Sequence, residues 1–217
     1  MKYLTLLLCW LDAFTPGCRC GSTGTMDSGI ADTENPGSDG DTDSDDTVLA
    51  IFTSQTSTES LPYQGIAIDP FQVAGNETRL ACVALESANG TGTLIDFNVD
   101  GDADDEVPFW VDLNAPDIAV NSGVASVPSE AELQICAEYM IFRASESNQG
   151  PGGTNLNASS GDTDTDDAVA FYFDLTQPGI PSVNTQTAVT SIICFETFFF
   201  ILGDETADGD RDINEDG

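Results

Sequence analysis

The chain contains no histidine, and only five of its 217 residues are lysine or arginine, against 38 aspartates and glutamates and a formal net charge of −33. Without histidine there is no Ser-His-Asp or Cys-His nucleophile system and no imidazole metal site, so zinc or copper chemistry is not expected. Beyond the first twenty residues the only cations are Arg79, Arg143 and Arg211. Such a surface repels phosphate backbones and anionic lipid, which disfavours nucleic-acid binding and electrostatic docking on membranes. Divalent cations are the natural counter-ligands. Helical periodicity sustained over a dozen residues is missing as well.

What is present begins with "MKYLTLLLCWLDAFTPGCRCGSTG". One lysine, an apolar run from Tyr3 to Leu11 too short for a bilayer span, and small residues before Cys18 predict an export signal over residues 1–20. The "TPGC" around Cys18 resembles the lipobox of bacterial lipoproteins, which implies lipidation of Cys18; an ordinary signal or an uncleaved start is the alternative. Either destination lies outside the cytoplasm, at the cell surface or in the periplasm, with membrane attachment only through such a lipid anchor. Residues 21–46 are rich in Gly, Ser, Thr, Asp and Pro, and read as a flexible acidic tether that cannot repay the entropy of ordering.

From residue 47 to 217 short apolar runs alternate with Gly, Pro, Asn and Asp. The runs "VLAIF", "GIAI", "RLACVAL", "VPFWVDL", "LQIC", "EYMIFRA", "AVAFYFDL", "TSIICF" and "TFFFIL" are dominated by aromatic and β-branched residues and predict an all-β protein. Hairpins with two-residue turns are expected at Ala137-Glu138 and Phe195-Glu196. Three stretches share one order of parts, spaced by about sixty residues: a strand ending in Glu86, Glu146 or Glu205, a Gly-rich turn, an acidic loop, then a long strand. Each unit holds about four strands, which suits a β-propeller blade, with β-sandwich domains as the rival. About three units are expected, the last broken off in an acidic loop, as in a truncated propeller. Cys136 and Cys194, at similar positions in successive units, read as small buried strand residues rather than partners; a disulfide would require close approach of their α-carbons.

The acidic loops carry the chemistry. "DFNVDGDAD" places Asp96, Asn98 and Asp100 at alternate positions, Gly101 at the tight turn and Asp104 at position nine, with a backbone carbonyl near Asp102. Alternate oxygen donors folded about a glycine turn suit a hard cation, Ca2+ rather than Mg2+ because of the crowding. Val107 stands where an EF-hand needs its bidentate glutamate, and a strand follows instead of a helix. The pattern resembles the calcium loops of FG-GAP-type, integrin-like propeller repeats and of exported bacterial proteins with "DLNGDGDxxDDV" segments. That resemblance implies that Asp96, Asn98, Asp100 and Asp104 ligate calcium, and that Asp212, Asn214 and Asp216 begin another site.

The second unit keeps Asn155 and Asn157 but has Ser159 in place of the third acid, so its cage would be rebuilt from Asp162, Asp164 and Asp166, or be empty. Asp39, Asp41, Asp43 and Asp45 match the pattern poorly. Glu86, Glu146 and Glu205 read as strand-end caps or as residues standing behind the ligands. Trp110, Phe109, Phe171, Tyr172 and the run Phe198–Phe200 read as core between units more readily than as a ligand surface. Sequons at Asn76, Asn89 and Asn157 carry little weight.

No pair of carboxylates is placed across a cleft in unlike environments, so the expected function is an exported calcium-binding scaffold or binding module for a protein or carbohydrate ligand. The alternatives are a polysaccharide-active hydrolase or lyase on a propeller, and an acid-coated protein of high-salt habitats without specific metal sites.

Overall fold

The computed structural model describes residues 47–50, 63–90, 95–115 and 119–209. The export signal, Cys18, the tether, Asp212, Asn214 and Asp216 therefore lie outside the described residues. The fold is all-β, as the alternation of apolar runs and turn residues requires, and it is built from two antiparallel sheets of consecutive strands. The first comprises β1 (Val48–Ala50), β2 (Tyr63–Gly75), β3 (Arg79–Leu85), β4 (Glu106–Asp112) and β5 (Ala119–Asn121). The second comprises β6 (Gln134–Cys136), β7 (Tyr139–Ser145), β8 (Ala168–Asp174), β9 (Val183–Phe195) and β10 (Phe198–Gly203). No helix among the described residues is long and apolar enough to cross a membrane.

Two strands are longer than the apolar runs indicated, and each changes partner along its length. β9 pairs with β8 up to Ala188 and with β10 from Val189 onward. β2 pairs with β1 through Tyr63 and Ala67 and with β3 from Ile68 onward. In β2 the register breaks between Asp69 and Val73, around Pro70. Proline donates no ladder hydrogen bond, which confines it to a bulge or an edge. Asp69 closes this bulge by accepting from the Phe71 N–H at 2.8 Å.

The β6–β7 turn is Ala137-Glu138, since Cys136 pairs with Tyr139. The β9–β10 turn falls one residue later than the apolar pattern indicates: Phe195 pairs with Phe198, leaving Glu196-Thr197 at the tip. Both turns begin on a residue with positive φ, Ala137 and Glu196. The local aromatic density extended the strand pairing by one step and carried Phe195 into the ladder.

Alternation along the strands sorts the apolar residues into three layers. Leu80, Cys82, Ala84, Val107, Phe109 and Val111 pack on one face of the first sheet with Leu49, Ile66 and Ile68. Its other face presents Ala81 and Trp110 to Met140, Phe142, Val169, Phe171 and Phe173 of the second sheet. The far face of the second sheet, Ile141 and Ala170, packs under Val189 and Ile192, with Cys194, Phe199 and Ile201 partly buried beside them. Phe109, Trp110 and Phe171 are thus core, as expected, whereas Phe198 and Phe200 are exposed.

The two cysteines expected to be unpaired are joined: Cys136 and Cys194 form a disulfide with α-carbons 5.6 Å apart, and Cys82 is the free thiol among the described residues. The sequence separation concealed a direct stacking of β6 on the outer half of β9, in which Gln134 Nε2 donates to the Ile192 carbonyl and Gln134 Oε1 accepts from the Cys194 N–H.

Candidate metal centres

Each sheet carries one long acidic loop, between β3 and β4 and between β7 and β8, and each loop is organised around a buried glutamate. Glu86 follows β3 and is fully buried. Its Oε1 accepts from the N–H groups of Phe97 at 2.5 Å and Asn98 at 3.4 Å, and its Oε2 from the Asp105 N–H at 3.1 Å. The Glu86 N–H in turn donates to the Asp105 carbonyl. Glu146, also fully buried, repeats the arrangement: Oε1 accepts from Leu156 at 2.5 Å and Asn157 at 3.3 Å, Oε2 from Asp167 at 3.3 Å, and its own N–H donates to the Asp167 carbonyl. These bonds satisfy the loop backbone internally, which is what allows so polar a segment to press against buried strands.

Within the first loop, Asp96 shapes the turn, accepting from Asp100 N–H at 3.2 Å and Gly101 N–H at 3.1 Å. Gly101 has φ +110°, a conformation that side chains with a Cβ rarely adopt. Asn98 Nδ2 donates to Asp100 Oδ2 at 2.7 Å and to Asp105 Oδ2 at 3.0 Å. Asn98 Oδ1 and Asp102 Oδ1 are buried acceptors with no partner. Glu86, Asp102 and Asp105 each bring one carboxylate oxygen within 4.8 Å of the others. Asp104 is exposed, on the outer side of the loop.

In the second loop the converging group is Glu146, Asp162, Asp164 and Asp167, again within 4.8 Å. Asn155 Nδ2 donates to Asp162 Oδ2 at 2.8 Å, and Asn157 Nδ2 to Asp167 Oδ2 at 3.2 Å. Asp166 is exposed, like Asp104. Of the expected ligands, the structure therefore brings together Asp102, Asp162 and Asp164, keeps Asn98, Asp100, Asn155 and Asn157 hydrogen-bonded around them, and leaves Asp104 and Asp166 outside the converging groups.

The inward acids are Asp105 and Asp167, the second members of the Asp104-Asp105 and Asp166-Asp167 pairs. Sequence reasoning passed over them, and read Glu86 and Glu146 as strand-end caps or as residues standing behind the ligands. The available signal was the recurrence of a glutamate at the strand end together with a double aspartate at the start of the next strand.

Electrostatics follows from this convergence. Burial pushes the Asp105 carboxyl up to about 6, with the charges of Asp100 and Asp102 adding and hydrogen bonds from Asn148 and Asn98 opposing. Asp167 is likewise pushed up to about 6, by burial first and then by Glu146, Asp162 and Asp164. Burial also raises Glu86 and Glu146, against the pull of three backbone N–H groups each. Asp102 is raised mainly by its hydrogen bond with Asp104, and Asp164 by that with Asp166. Two carboxylates at the 4.8 Å separation repel by about 3 kcal/mol at an effective dielectric of 20. A hard cation bound among them would add an attraction to each carboxylate that outweighs this repulsion, and all-oxygen donor sets of this kind suit Ca2+.

The residue three after each strand-end glutamate also bonds backbone elsewhere, in β2, in the β5–β6 connection and in β9. Asn89 clasps Ala67, accepting from its N–H at 3.0 Å and donating to its carbonyl at 3.2 Å. Gln149 does the same to Ala125, at 3.3 and 2.8 Å. Asp208 Oδ1 accepts from the Ala188 N–H at 3.4 Å, three residues after Glu205 as Asn89 and Gln149 are three after Glu86 and Glu146. Comparison with protein-family models, with curated proteins and with solved structures returned no match for this chain.

Proposed function

We propose that the chain is an exported, calcium-stabilised array of β units of about sixty residues, stacked face to face in the manner of propeller blades and serving as a scaffold or binding module for a protein or carbohydrate ligand. The carrying observation is the convergence of Glu86, Asp102 and Asp105 in one loop and of Glu146, Asp162, Asp164 and Asp167 in the other, beside the unpartnered Asn98 Oδ1 and Asp102 Oδ1. Backbone and amide N–H groups offset part of the repulsion among these carboxylates, and a cation would offset the rest. The reading as an array is supported by bonding that recurs at the same spacing: the Glu86 and Glu146 brackets, the Asn89 and Gln149 clasps, and a contact between successive units in which Gln72 Oε1 accepts from Ala131 N–H and Glu132 Oε2 from Ile192 N–H. Export is supported by the Cys136–Cys194 disulfide, a bond that persists in oxidising compartments.

The test is calorimetric titration of Ca2+ into chelator-treated protein, repeated with Glu86→Gln, Glu146→Gln, Asp96→Ala and Asp100→Ala. Loss of one binding event in each glutamate variant is expected. Uptake unaltered by both glutamate substitutions would remove the assignment.

A further inference from the structure

We propose that the outward face of the β9–β10 hairpin is a self-association surface, on which the same hairpin of a second copy of this chain docks. Ile193, Phe195, Phe198, Phe200 and Leu202 lie on this face and are 46% to 65% exposed. Phe195 is paired with Phe198 and Ile193 with Phe200, so the side chains form one continuous patch instead of scattered apolar residues. From Val183 to Gly203 the only charged residue is Glu196, at the hairpin tip, in a chain that carries 38 acids.

The earlier faces of the same kind are covered. Ala81 and Trp110 of the first sheet are buried by Met140 and Phe142 of the second. Ile141 and Ala170 of the second sheet are buried by Val189 and Ile192, with Phe199 and Ile201, from the inner face of this hairpin. The outer face continues that series, and among the described residues nothing covers it.

A second copy is the occupant favoured by both area and charge. The five side chains expose on the order of 500 Å2, so two copies would bury about 1,000 Å2, the threshold for a specific interface and more than single exposed side chains account for. In a second copy the inward apolar faces among the described residues are already filled by its own sheets, and this same patch offers a matching apolar counterpart. The contact is therefore isologous, and it closes at two copies. On a neutral patch two chains of charge −33 also approach without opposing carboxylates. The inference stands on packing alone and does not depend on cation binding.

Sedimentation equilibrium of the full chain, in enough salt to screen the acidic loops, tests it. The wild type is expected to be dimeric, and Phe198→Glu with Phe200→Glu monomeric, the dimer dissociation constant rising at least about tenfold. Retention of the Cys136–Cys194 bond and of the far-ultraviolet β signal shows that the variant is folded. Should that variant not fold, Ile193→Thr with Leu202→Thr serves on the same readout. Phe71→Glu, at an exposed position on β2, is expected to leave the dimer intact. A wild type monomeric throughout would overturn the proposal and give the face to a different partner. So would a dimer indifferent to both pairs of substitutions, or open-ended assembly beyond two copies.

Discussion

Replacing Asp105 by Asn should stabilise the calcium-free protein at neutral pH while abolishing the response to calcium at the first loop. Asp105 is 3% exposed, and its carboxyl titrates near 6 instead of at the ordinary 3.8. The folded chain therefore holds this proton more tightly than the unfolded chain does, so calcium-free stability falls as pH rises from about 4 through about 6. At about 1.4 kcal/mol per pH unit, the ionised group costs the fold about 3 kcal/mol once pH exceeds 6. Asparagine keeps the volume and removes the charge. Its single carbonyl oxygen can serve only one of the two amides that now donate to Asp105, Asn98 and Asn148, at a cost of about 1 kcal/mol. The net gain is about 2 kcal/mol, or about 4–8 °C in melting temperature for a chain of this size.

Below about pH 4 the gain disappears, because the wild-type carboxyl is protonated in both states. With Ca2+ at a hundredfold excess over its dissociation constant the order reverses, since the wild type gains about 2.7 kcal/mol per site and the variant gains it only at the second loop. The assay is urea unfolding at about pH 7.5 and about pH 4, each with chelator and with calcium. A variant less stable than wild type in chelator at the higher pH, or one that keeps the full calcium increment, refutes the reasoning.

Two further outcomes are expected. Cys136→Ser or Cys194→Ser opens a loop of 58 residues and should cost about 4 kcal/mol by chain entropy, read as a lower urea midpoint that added reductant reproduces in the wild type. Asn148→Ala, in the second loop, should weaken calcium binding at the first loop by about tenfold, because Asn148 Nδ2 orients Asp105 Oδ1 at 3.1 Å; titration of Asn148→Ala in a Glu146→Gln background isolates that site, and unchanged affinity would assign Asn148 to packing alone.

The strands were the more legible part of this molecule. β3 coincides with "RLACVAL", β8 falls inside its run, and β4, β7 and β10 match theirs to within one residue at each end, because each buries apolar residues on both faces or on one. What alternation does not carry is a change of partner along a strand. β9 runs unbroken from Val183 to Phe195 although its first half is rich in Thr, Asn and Gln, since Asn184 and Thr185 find carbonyl partners at Leu156 and Ala170. The disulfide was hidden for the same reason: it depends on β9 lying across β6, a non-local fact. In the loops the motif spacing located the acidic segments, the Gly101 turn and three of the converging acids, Asp102, Asp162 and Asp164, but did not single out Asp105 and Asp167. A linear pattern shows which oxygens alternate; it does not show that Asp96 accepts from two backbone N–H groups, or that the Asp104-Asp105 pair divides into one exposed and one buried carboxylate.

The division of that pair explains why so much negative charge abuts buried strands. The last acid of each loop is anchored from both sides, its N–H to the buried glutamate at the end of the preceding strand and its carbonyl to that glutamate's N–H. Its side chain must therefore face the loop interior, because the next residue already belongs to the ladder, with Glu106 paired to Leu85 and Ala168 to Ser145. An apolar residue there would remove one acceptor from Asn98 or Asn157, and an exposed acid would take one carboxylate out of the converging group. On the proposed calcium reading, the repulsion among these acids without a cation follows from the strand pairing itself. A cation that relieves it fastens two adjacent strands at their loop end, and through Asn148 it also engages the neighbouring sheet.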